Sequence, residues 1–234
     1  MLPTSLKIDN EKYDYSIYNN YVVIKDEEAC KYFVLNNRQA KKQVEFVNRL
    51  LTEKRISKKE VSTQVLNSLL EIDLVTIEKE NVYRINPNVN KTEEKILTDE
   101  QTKAMEEVKN SFDIFNVFLL HGITGSGKTE VYIKLVSEVL KNGKTVIMLV
   151  PEITLTTQIV KRFYECFGDN VAIFHSGLSD GEKADEYNKI LRDEAKIVVG
   201  TRSSIFVPLK NIGLIIIDEE HTSSYKQENN PRYH

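Results

Sequence analysis

The 234-residue sequence has no tryptophan and only two cysteines, Cys30 and Cys166. Two cysteines so far apart provide neither a disulfide framework nor the clustered ligands of a zinc site. No apolar run approaches the ~20 residues that span a bilayer, and the first residues lack the charged-then-apolar order of a secretory signal. With 41% hydrophobic and 29% charged residues, the composition is typical of a soluble globular protein, which we expect in the cytoplasm without a membrane partner.

The sequence also lacks a strong charge of either sign, since its formal net charge is -3. That balance excludes binding to nucleic acid through bulk positive charge, so any contact with DNA must come from local groups. The length allows one large domain, or a domain of about 150 residues with a smaller module.

The first third of the sequence predicts a small domain between two linkers. We expect an irregular, tyrosine-rich linker at 1–37 with one strand-like run at 21–24, a domain at 38–88, and a polar linker at 89–96. Proline and asparagine at the end of the domain support the second boundary.

Within this small domain the apolar spacing predicts helices followed by a pair of strands. Apolar residues at 44–51 recur with a helical period, and the capping box Ser57-Lys-Lys-Glu60 predicts the start of another helix. Two alternating runs around 78–81 predict a hairpin. Helices followed by a hairpin are the outline of a winged helix.

Beyond the second linker, the pattern changes to short apolar runs separated by amphipathic segments. Strands of a parallel sheet that are buried on both faces are nearly continuous apolar runs. Their alternation with helices predicts a doubly wound α/β domain over 97–234. The expected strands are 117–120, 145–150, 171–174, 197–199 and 214–217, and the expected helices are 130–141, 156–167 and 182–193.

A nucleotide-binding motif lies at 122–129, where GITGSGKT matches G-x-x-x-x-G-K-[ST]. Its glycines let backbone N–H groups surround phosphates, and the following helix adds a favourable dipole. We expect Lys128 to reach the β- and γ-phosphates of ATP and the Thr129 hydroxyl to bind Mg²⁺. The predicted nucleotide contacts are Gly122, Thr124, Gly125, Ser126, Gly127, Lys128 and Thr129.

A second motif, LIIIDEEH, is an apolar strand that ends in acidic residues. Carboxylates at the carboxyl end of a parallel strand lie where such sheets bind ligands. We expect Asp218 to hold Mg²⁺ through water and Glu219 to orient and deprotonate the attacking water. For His221, a link between the phosphate site and a DNA site and a simple structural role both stay open.

Gln101 has two compatible interpretations. Thr98 and Gln101 satisfy the spacing of a capping box at the start of a helix, which by itself accounts for the glutamine. Recognition of the adenine ring is the other interpretation.

Several stretches occur in the order found in one helicase family. They are GITGSGKTEVY, LVPEITLT, FHSGLS, VGTRSSIF, DEEHTSSYKQ and PRYH. Together they resemble the first motor lobe of the primosomal replication-restart DNA helicases of superfamily 2. The resemblance covers about 97–234 and implies a RecA-like P-loop NTPase lobe with a parallel sheet, preceded by the small winged-helix domain. It implies ATP-dependent 3′→5′ unwinding at stalled forks.

The resemblance also implies which residues contact DNA. The segments 151–154 and 200–204 match the family's track for single-stranded DNA, and the residues after 224 match an aromatic-rich loop that couples DNA contact to hydrolysis. Aromatic rings interleaved with cations stack on bases of any sequence. A polar surface loop and an exposed arginine are the alternatives. The predicted contacts are Thr154, Thr201, Arg202, Ser203, Tyr225, Lys226, Arg232 and Tyr233.

Other parts of the family pattern are expected outside this sequence. They are an N-terminal domain that binds DNA ends, a zinc-binding cysteine cluster, and a second motor lobe with its arginine finger. The resemblance implies single-stranded and forked DNA, single-strand-binding protein and a helicase loader as partners. A lobe without its second half is expected to bind nucleotide weakly and not to unwind DNA.

The winged helix is not expected to read DNA sequence. Its recognition-helix candidate at 62–73 has no Lys or Arg, and only Gln64 and Asn67 have the amides used for base contacts. A spacer or protein-docking role is favoured, with phosphate contacts from lysines on another face as the alternative. For the whole protein, an RNA helicase and a nucleotide-gated binding module without unwinding activity remain alternative functions.

Overall fold

The computed structural model describes residues 15–85, 89–123, 125–152 and 157–226. Contacts divide the chain into two compact units, one formed by Ser16–Val82 and the other containing the described residues from Tyr83 onward. Within the described ranges, no helix is long and apolar enough to cross a membrane.

The first unit combines three helices with a three-stranded antiparallel sheet. The sheet order is β2-β1-β3, with β1 at the centre. The elements are β1 (Ile17–Ile24), α1 (Glu27–Asn36), α2 (Lys41–Glu53), β2 (Arg55–Ser57), α3 (Thr63–Glu71) and β3 (Val75–Val82).

The boundary expected at residue 38 is wrong for this unit. Val22 of β1 and Cys30 of α1 are completely buried and share one apolar core with Leu50 and Leu69. The Asp26 side chain caps α1 by accepting from the backbone N–H groups of the first turn, which fixes where this helix begins. Much of the predicted linker is therefore part of the domain.

Two local predictions in this unit are also wrong. The predicted hairpin around 78–81 is absent, because β3 continues through these residues and pairs with β1 along its whole length. The middle of β3 consists of exposed charged residues, a composition that is also typical of a turn. The helix expected to begin at the Ser57 capping box is α3, which begins at Thr63 with Ser62 as its N-cap. Ser57 caps only a short 3₁₀ turn at Lys58–Glu60.

The second unit has helices around a four-stranded parallel sheet of order β5-β6-β4-β7. This arrangement confirms the predicted α/β class and four of the predicted strands. The elements are α4 (Asp99–Lys109), α5 (Lys128–Lys141), β4 (Thr145–Leu149), α6 (Thr157–Phe167), β5 (Val171–Phe174), α7 (Asp180–Leu191), β6 (Ile197–Gly200) and β7 (Ile212–Ile217).

The sheet is buried most fully at its centre. Every residue of β4, β5 and β6 is buried, as expected for parallel strands covered on both faces. Strand β7 is less covered, since Ile215 and Ile217 are both nearly half exposed. The carboxyl ends of β4 and β7 lie side by side, which brings the acidic motif next to residue 150.

The strand predicted at 117–120 is absent from the described structure. These residues form no ladder, and Val117 and Leu119 are exposed, while Leu120 packs partly against the core. A short apolar run does not specify a pairing partner, which is why periodicity alone was insufficient here. The nucleotide motif is thus preceded by irregular chain rather than by a strand.

The segment 89–96 forms no helix or strand, yet hydrogen bonds and ion pairs hold it against α5 and α6. Thr92 binds α6 through its backbone N–H, 3.0 Å from the Glu165 carbonyl oxygen. Glu94 forms an ion pair with Lys134 of α5 at 2.7 Å. This segment is better described as a strap along α5 and α6 than as a free linker.

Candidate nucleotide-binding site

The loop before α5 has the backbone conformation that its glycines allow. Gly125 and Gly127 have φ angles of 81° and 83°, in the left-handed region that side chains with a Cβ avoid. Gly127 is the N-cap of α5, and no side chain caps this helix end. Its first N–H groups are therefore suited to an anionic ligand.

Gln101 connects α4 to this loop. The capping box is confirmed: the Thr98 hydroxyl accepts from the Gln101 N–H, and the Gln101 side-chain oxygen accepts from the Thr98 N–H at 2.9 Å. The Gln101 amide nitrogen donates to the Ser126 carbonyl oxygen at 2.8 Å. A Cβ on Gly127 would lie 2.4 Å from that nitrogen, so a larger residue there would displace the Gln101 amide from the loop.

The Lys128 ammonium group lies against the loop that precedes it. Its Nζ donates to the Gly122 carbonyl oxygen at 2.6 Å, and the Ile123 carbonyl oxygen is 3.4 Å away. Lys128 and the half-buried Thr129 form the first turn of α5. The structure thus places the charge of Lys128 beside the glycine-rich backbone, as the motif requires.

The acidic motif is joined to the P-loop helix by a tyrosine. Asp218 follows β7 directly and is 9% exposed. The Tyr132 hydroxyl, one turn beyond Lys128 on α5, donates to Asp218 Oδ1 at 3.2 Å. The carboxylate is therefore held next to the helix that carries Lys128 and Thr129.

The local environment changes the acidity of Asp218. Burial raises its pKa above the usual value, and the negative charge of Glu219 acts in the same direction. The hydrogen bond from Tyr132 and the positive charge of Lys128 oppose this rise. The charge of Lys128 therefore favours the ionised form of the Asp218 carboxylate.

Glu219 and His221 lie in the turn after Asp218. Glu219 has a φ angle of 49°, which is unusual for a residue other than glycine and marks local backbone strain. His221 is exposed, with Nε2 3.6 Å from Glu219 Oε2 and Nδ1 3.7 Å from Glu220 Oε2. Both distances exceed those of a hydrogen bond.

The structure contradicts base stacking by Tyr225. Its ring is buried in a cluster with Ile147 and Leu149, and it has no open face for a base. Its hydroxyl lies 2.5 Å from the Asp218 carbonyl oxygen and 3.1 Å from that of Leu149. Tyr225 therefore joins the carboxyl ends of β4 and β7.

Arg202 also holds the chain around Tyr225. Its Nη1 donates to the carbonyl oxygens of Ser224 and Lys226, at 2.8 and 2.6 Å, and so holds the two residues that flank Tyr225. Thr201 and Ser203 are buried, so their predicted DNA contacts are not supported by exposure, whereas Lys226 is exposed. The predicted site residues Thr124, Thr154, Arg232 and Tyr233 lie outside the described residues.

The available ligands fit a magnesium nucleotide. Mg²⁺ prefers hard oxygen ligands and few protein groups, and the Asp218 carboxylate with the Thr129 hydroxyl meets that preference. The uncapped start of α5 and the Lys128 ammonium group fit a phosphate chain. Among the described residues, no cluster of His, Cys, Asp and Glu suggests a different kind of metal site.

Sequence reasoning missed Tyr132 as a member of this site. Its spacing from Lys128 could have indicated this position, because residues four apart on a helix share a face and Tyr132 follows Lys128 by four. A tyrosine in an otherwise apolar helix face also needs a partner for its hydroxyl.

Comparison with known protein families shows the family of this chain. Residues 94–233 match the family described as "Type III restriction enzyme, res subunit". The chain belongs to this family. Its match includes the loop before α5, the acidic motif after β7 and the sheet between them.

Individual relatives confirm the resemblance to replication-restart helicases. The chain is 47% identical to the replication restart protein PriA of Bacillus subtilis over 222 residues, which are 89% of this chain and 28% of that protein. It is 46% identical to the PriA proteins of Synechocystis and Treponema pallidum, over 74% and 62% of this chain and 21% and 22% of theirs. The chain thus corresponds to less than a third of the length of these relatives.

A solved structure is also similar. The crystal structure of the UvsW helicase from bacteriophage T4 matches with a TM-score of 0.38 and 17% identity, over 91% of this chain and 82% of the other.

Proposed function

We propose that this chain contains the ATP-binding motor lobe, at 97–234, of a 3′→5′ DNA helicase that acts in replication restart. The observation that carries the proposal is the contact between Tyr132 and Asp218, because it joins the phosphate-binding helix to the acidic motif. The similarity to PriA proteins supports the choice of DNA and of stalled or forked substrates.

In this proposal the P-loop and the acidic motif share one ATP. The N–H groups at the start of α5 and the Lys128 ammonium group bind the phosphates, and Gln101 contacts the adenine. Thr129, and Asp218 through a water molecule, would hold Mg²⁺, which would supply positive charge beside the phosphates. Glu219 orients the attacking water and accepts its proton.

The DNA would run along the carboxyl ends of the parallel β-strands. Arg202 acts there by fixing the backbone around Tyr225, while Lys226 is available for phosphates. Thr154, Arg232 and Tyr233 remain proposed DNA contacts, and His221 remains the proposed link to the phosphate site. The first unit serves as a winged-helix spacer or docking module rather than as a sequence reader.

The partners follow from the same proposal. The whole protein works in the cytoplasm on single-stranded and forked DNA, together with single-strand-binding protein and a helicase loader. Half of the catalytic surroundings of ATP in such motors comes from a second lobe, so the 234-residue chain binds nucleotide but does not separate strands.

The experiment is a linkage measurement on the 234-residue chain. Fluorescence anisotropy would give the affinity for a labelled 20-nucleotide oligo(dT), with and without Mg²⁺ and a non-hydrolysable ATP analogue. A matched oligo(rU) and the Lys128→Ala variant are the controls. A DNA motor lobe predicts that the analogue changes DNA affinity at least about threefold and that Lys128→Ala removes the change.

Other outcomes would replace the proposal. An equal or larger nucleotide effect with oligo(rU) would indicate an RNA helicase. If the ATP analogue does not change oligonucleotide affinity in either wild type or Lys128→Ala, the chain is a binding module. Strand separation by the chain alone would contradict the need for a second lobe.

A further inference from the structure

We propose that Tyr132 is a positioning residue that orients the Asp218 carboxylate for Mg²⁺. The inference rests on the proposed function, since it assigns a role to a side chain within the same nucleotide site. It concerns orientation of a metal ligand and not contact with ATP.

The first support is the burial of both partners. Tyr132 is 8% exposed and Asp218 is 9% exposed, so neither group exchanges its partner freely with water. A buried hydroxyl that lost this bond would leave a polar atom unpaired, at a cost that favours the observed contact. The 3.2 Å hydrogen bond is therefore a persistent restraint on the carboxylate.

The second support is that the backbone of Asp218 is already fixed. Its N–H donates to the Leu149 carbonyl oxygen at 2.9 Å, and its own carbonyl oxygen lies 2.5 Å from the Tyr225 hydroxyl. With the main chain held on both sides, the side-chain torsion angles are what remain to be set. Tyr132 restrains them by holding one carboxylate oxygen.

The third support is the chemistry of a phenol donor. Tyr132 is neutral, so it orients Asp218 without neutralising the charge that attracts Mg²⁺, as a lysine or arginine would. Its place on α5, one turn beyond Lys128 and Thr129, couples the carboxylate to the helix that holds the other metal ligand. Side chains that orient metal ligands typically change metal affinity 10–100-fold when they are removed.

The experiment measures how nucleotide binding by the 234-residue chain depends on Mg²⁺. A fluorescent ATP analogue with a methylanthraniloyl group on the ribose would be titrated in EDTA and then at increasing Mg²⁺ concentration. The proteins are wild type, Tyr132→Phe, Asp218→Asn and the double variant. Tyr164→Phe, which removes a hydroxyl from another buried tyrosine in the core, is the matched control.

Tyr132→Phe is expected to raise the Mg²⁺ concentration at half-effect about tenfold and to leave the affinity in EDTA unchanged. Asp218→Asn should weaken or abolish the Mg²⁺ effect, and Tyr132→Phe should add nothing in that background. Tyr164→Phe should behave as wild type. Thermal melting of each variant would establish that it is folded.

Two results would overturn the inference while leaving the proposed function intact. One is an unchanged Mg²⁺ dependence in Tyr132→Phe, and the other is an equal loss of affinity with and without Mg²⁺, which indicates a general effect on α5. Failure of the wild-type chain to bind the analogue at all would instead contradict the proposed function.

Discussion

At the residue scale, Gly127 combines a positive φ angle with a close approach of the Gln101 side chain. Its φ angle is 83°, and a Cβ there would lie 2.4 Å from the Gln101 amide nitrogen. We expect Gly127→Ala to weaken ATP binding at least tenfold, because the strain of about 1–2 kcal/mol and the displaced Gln101 both distort the loop. Equilibrium dialysis with labelled ATP would measure the change.

Gly143 provides a matched control for that substitution. It also has a positive φ angle, 68°, but apart from its chain neighbours no atom of the described residues lies within 4 Å of the position of a Cβ. Gly143→Ala should cost about 1–2 kcal/mol of stability and leave ATP affinity unchanged. Equal ATP affinity in the two variants would contradict the packing argument for Gly127.

Tyr164 tests a different consequence of burial. Its ring is 2% exposed, and its hydroxyl finds no hydrogen-bond partner among the described residues. Tyr164→Phe should therefore be neutral or raise the free energy of unfolding by about 1 kcal/mol, as measured in urea. A clear loss of stability would mean that the hydroxyl has a partner.

Positions that depend on local structure could be predicted from the sequence, whereas the proposed roles of these residues stay predictions. The P-loop motif fixed the place of Lys128 within its own helix, and the acidic motif put Asp218 at the end of its strand. Tyr225 could not be predicted, because its burial depends on β4 and β7 ending side by side, which is a non-local property. The sequence likewise predicts Arg202 as a DNA contact, because its hydrogen bonds to the carbonyl oxygens of Ser224 and Lys226 depend on residues more than 20 positions away.

At the scale of elements, Arg162 of α6 contacts both the strap at 89–96 and helix α5. It forms two hydrogen bonds with Glu130, at 3.2 and 2.9 Å, and one with Thr92 at 2.6 Å. Both charged side chains are largely buried. Arg162→Ala is expected to lower the free energy of unfolding by about 1–3 kcal/mol, because Glu130 loses both hydrogen bonds from Arg162 and keeps its ion pair with the exposed Lys95.

Lys161 is the control for this prediction, since it is the neighbouring residue but is well exposed and 3.8 Å from Glu165. Lys161→Ala should change stability by less than about 0.5 kcal/mol in the same urea titration. Similar losses in the two variants would show that the strap contributes nothing specific.

The contact between α4 and α5 is expected to depend on pH through Glu138. Hydrogen bonds from Lys141 and Lys109 lower the pKa of Glu138 from 4.5 to about 2. A lowered pKa in the folded state stabilises the protein above the unfolded value, and this contribution is lost as pH falls from about 4.5 toward 2.

Glu138→Gln should therefore cost up to about 1 kcal/mol at pH 6 and less at pH 3, as urea titrations at both values would measure. Glu107→Gln is the control, because this exposed glutamate of α4 has no ion pair in the described structure. A Glu138→Gln effect that is the same at both pH values would contradict the electrostatic explanation.

Helices and strands could be predicted where the apolar pattern of the sequence matches the burial of the residues in the fold. Strands β4, β5 and β6 are apolar and fully buried, so their sequence pattern and their environment coincide. The run at 117–120 has the same composition but no ladder partner in the described structure. In the first unit, exposed Glu78 and Glu80 concealed the continuity of β3, since only its pairing with β1 identifies it as one strand.

At the scale of the molecule, a three-stranded antiparallel unit and a parallel α/β unit are connected at Val82–Tyr83. Membership of the restriction-enzyme res-subunit family and similarity to PriA proteins agree with the second unit's P-loop and acidic motif. The central claim is that these two motifs bind one magnesium nucleotide.

Isothermal titration calorimetry with ATP on the 234-residue chain tests that claim most directly. The account predicts binding that Mg²⁺ strengthens, that Lys128→Ala weakens at least tenfold, and whose Mg²⁺ dependence Asp218→Asn removes. ATP binding that is identical in wild type, Lys128→Ala and Asp218→Asn would contradict it.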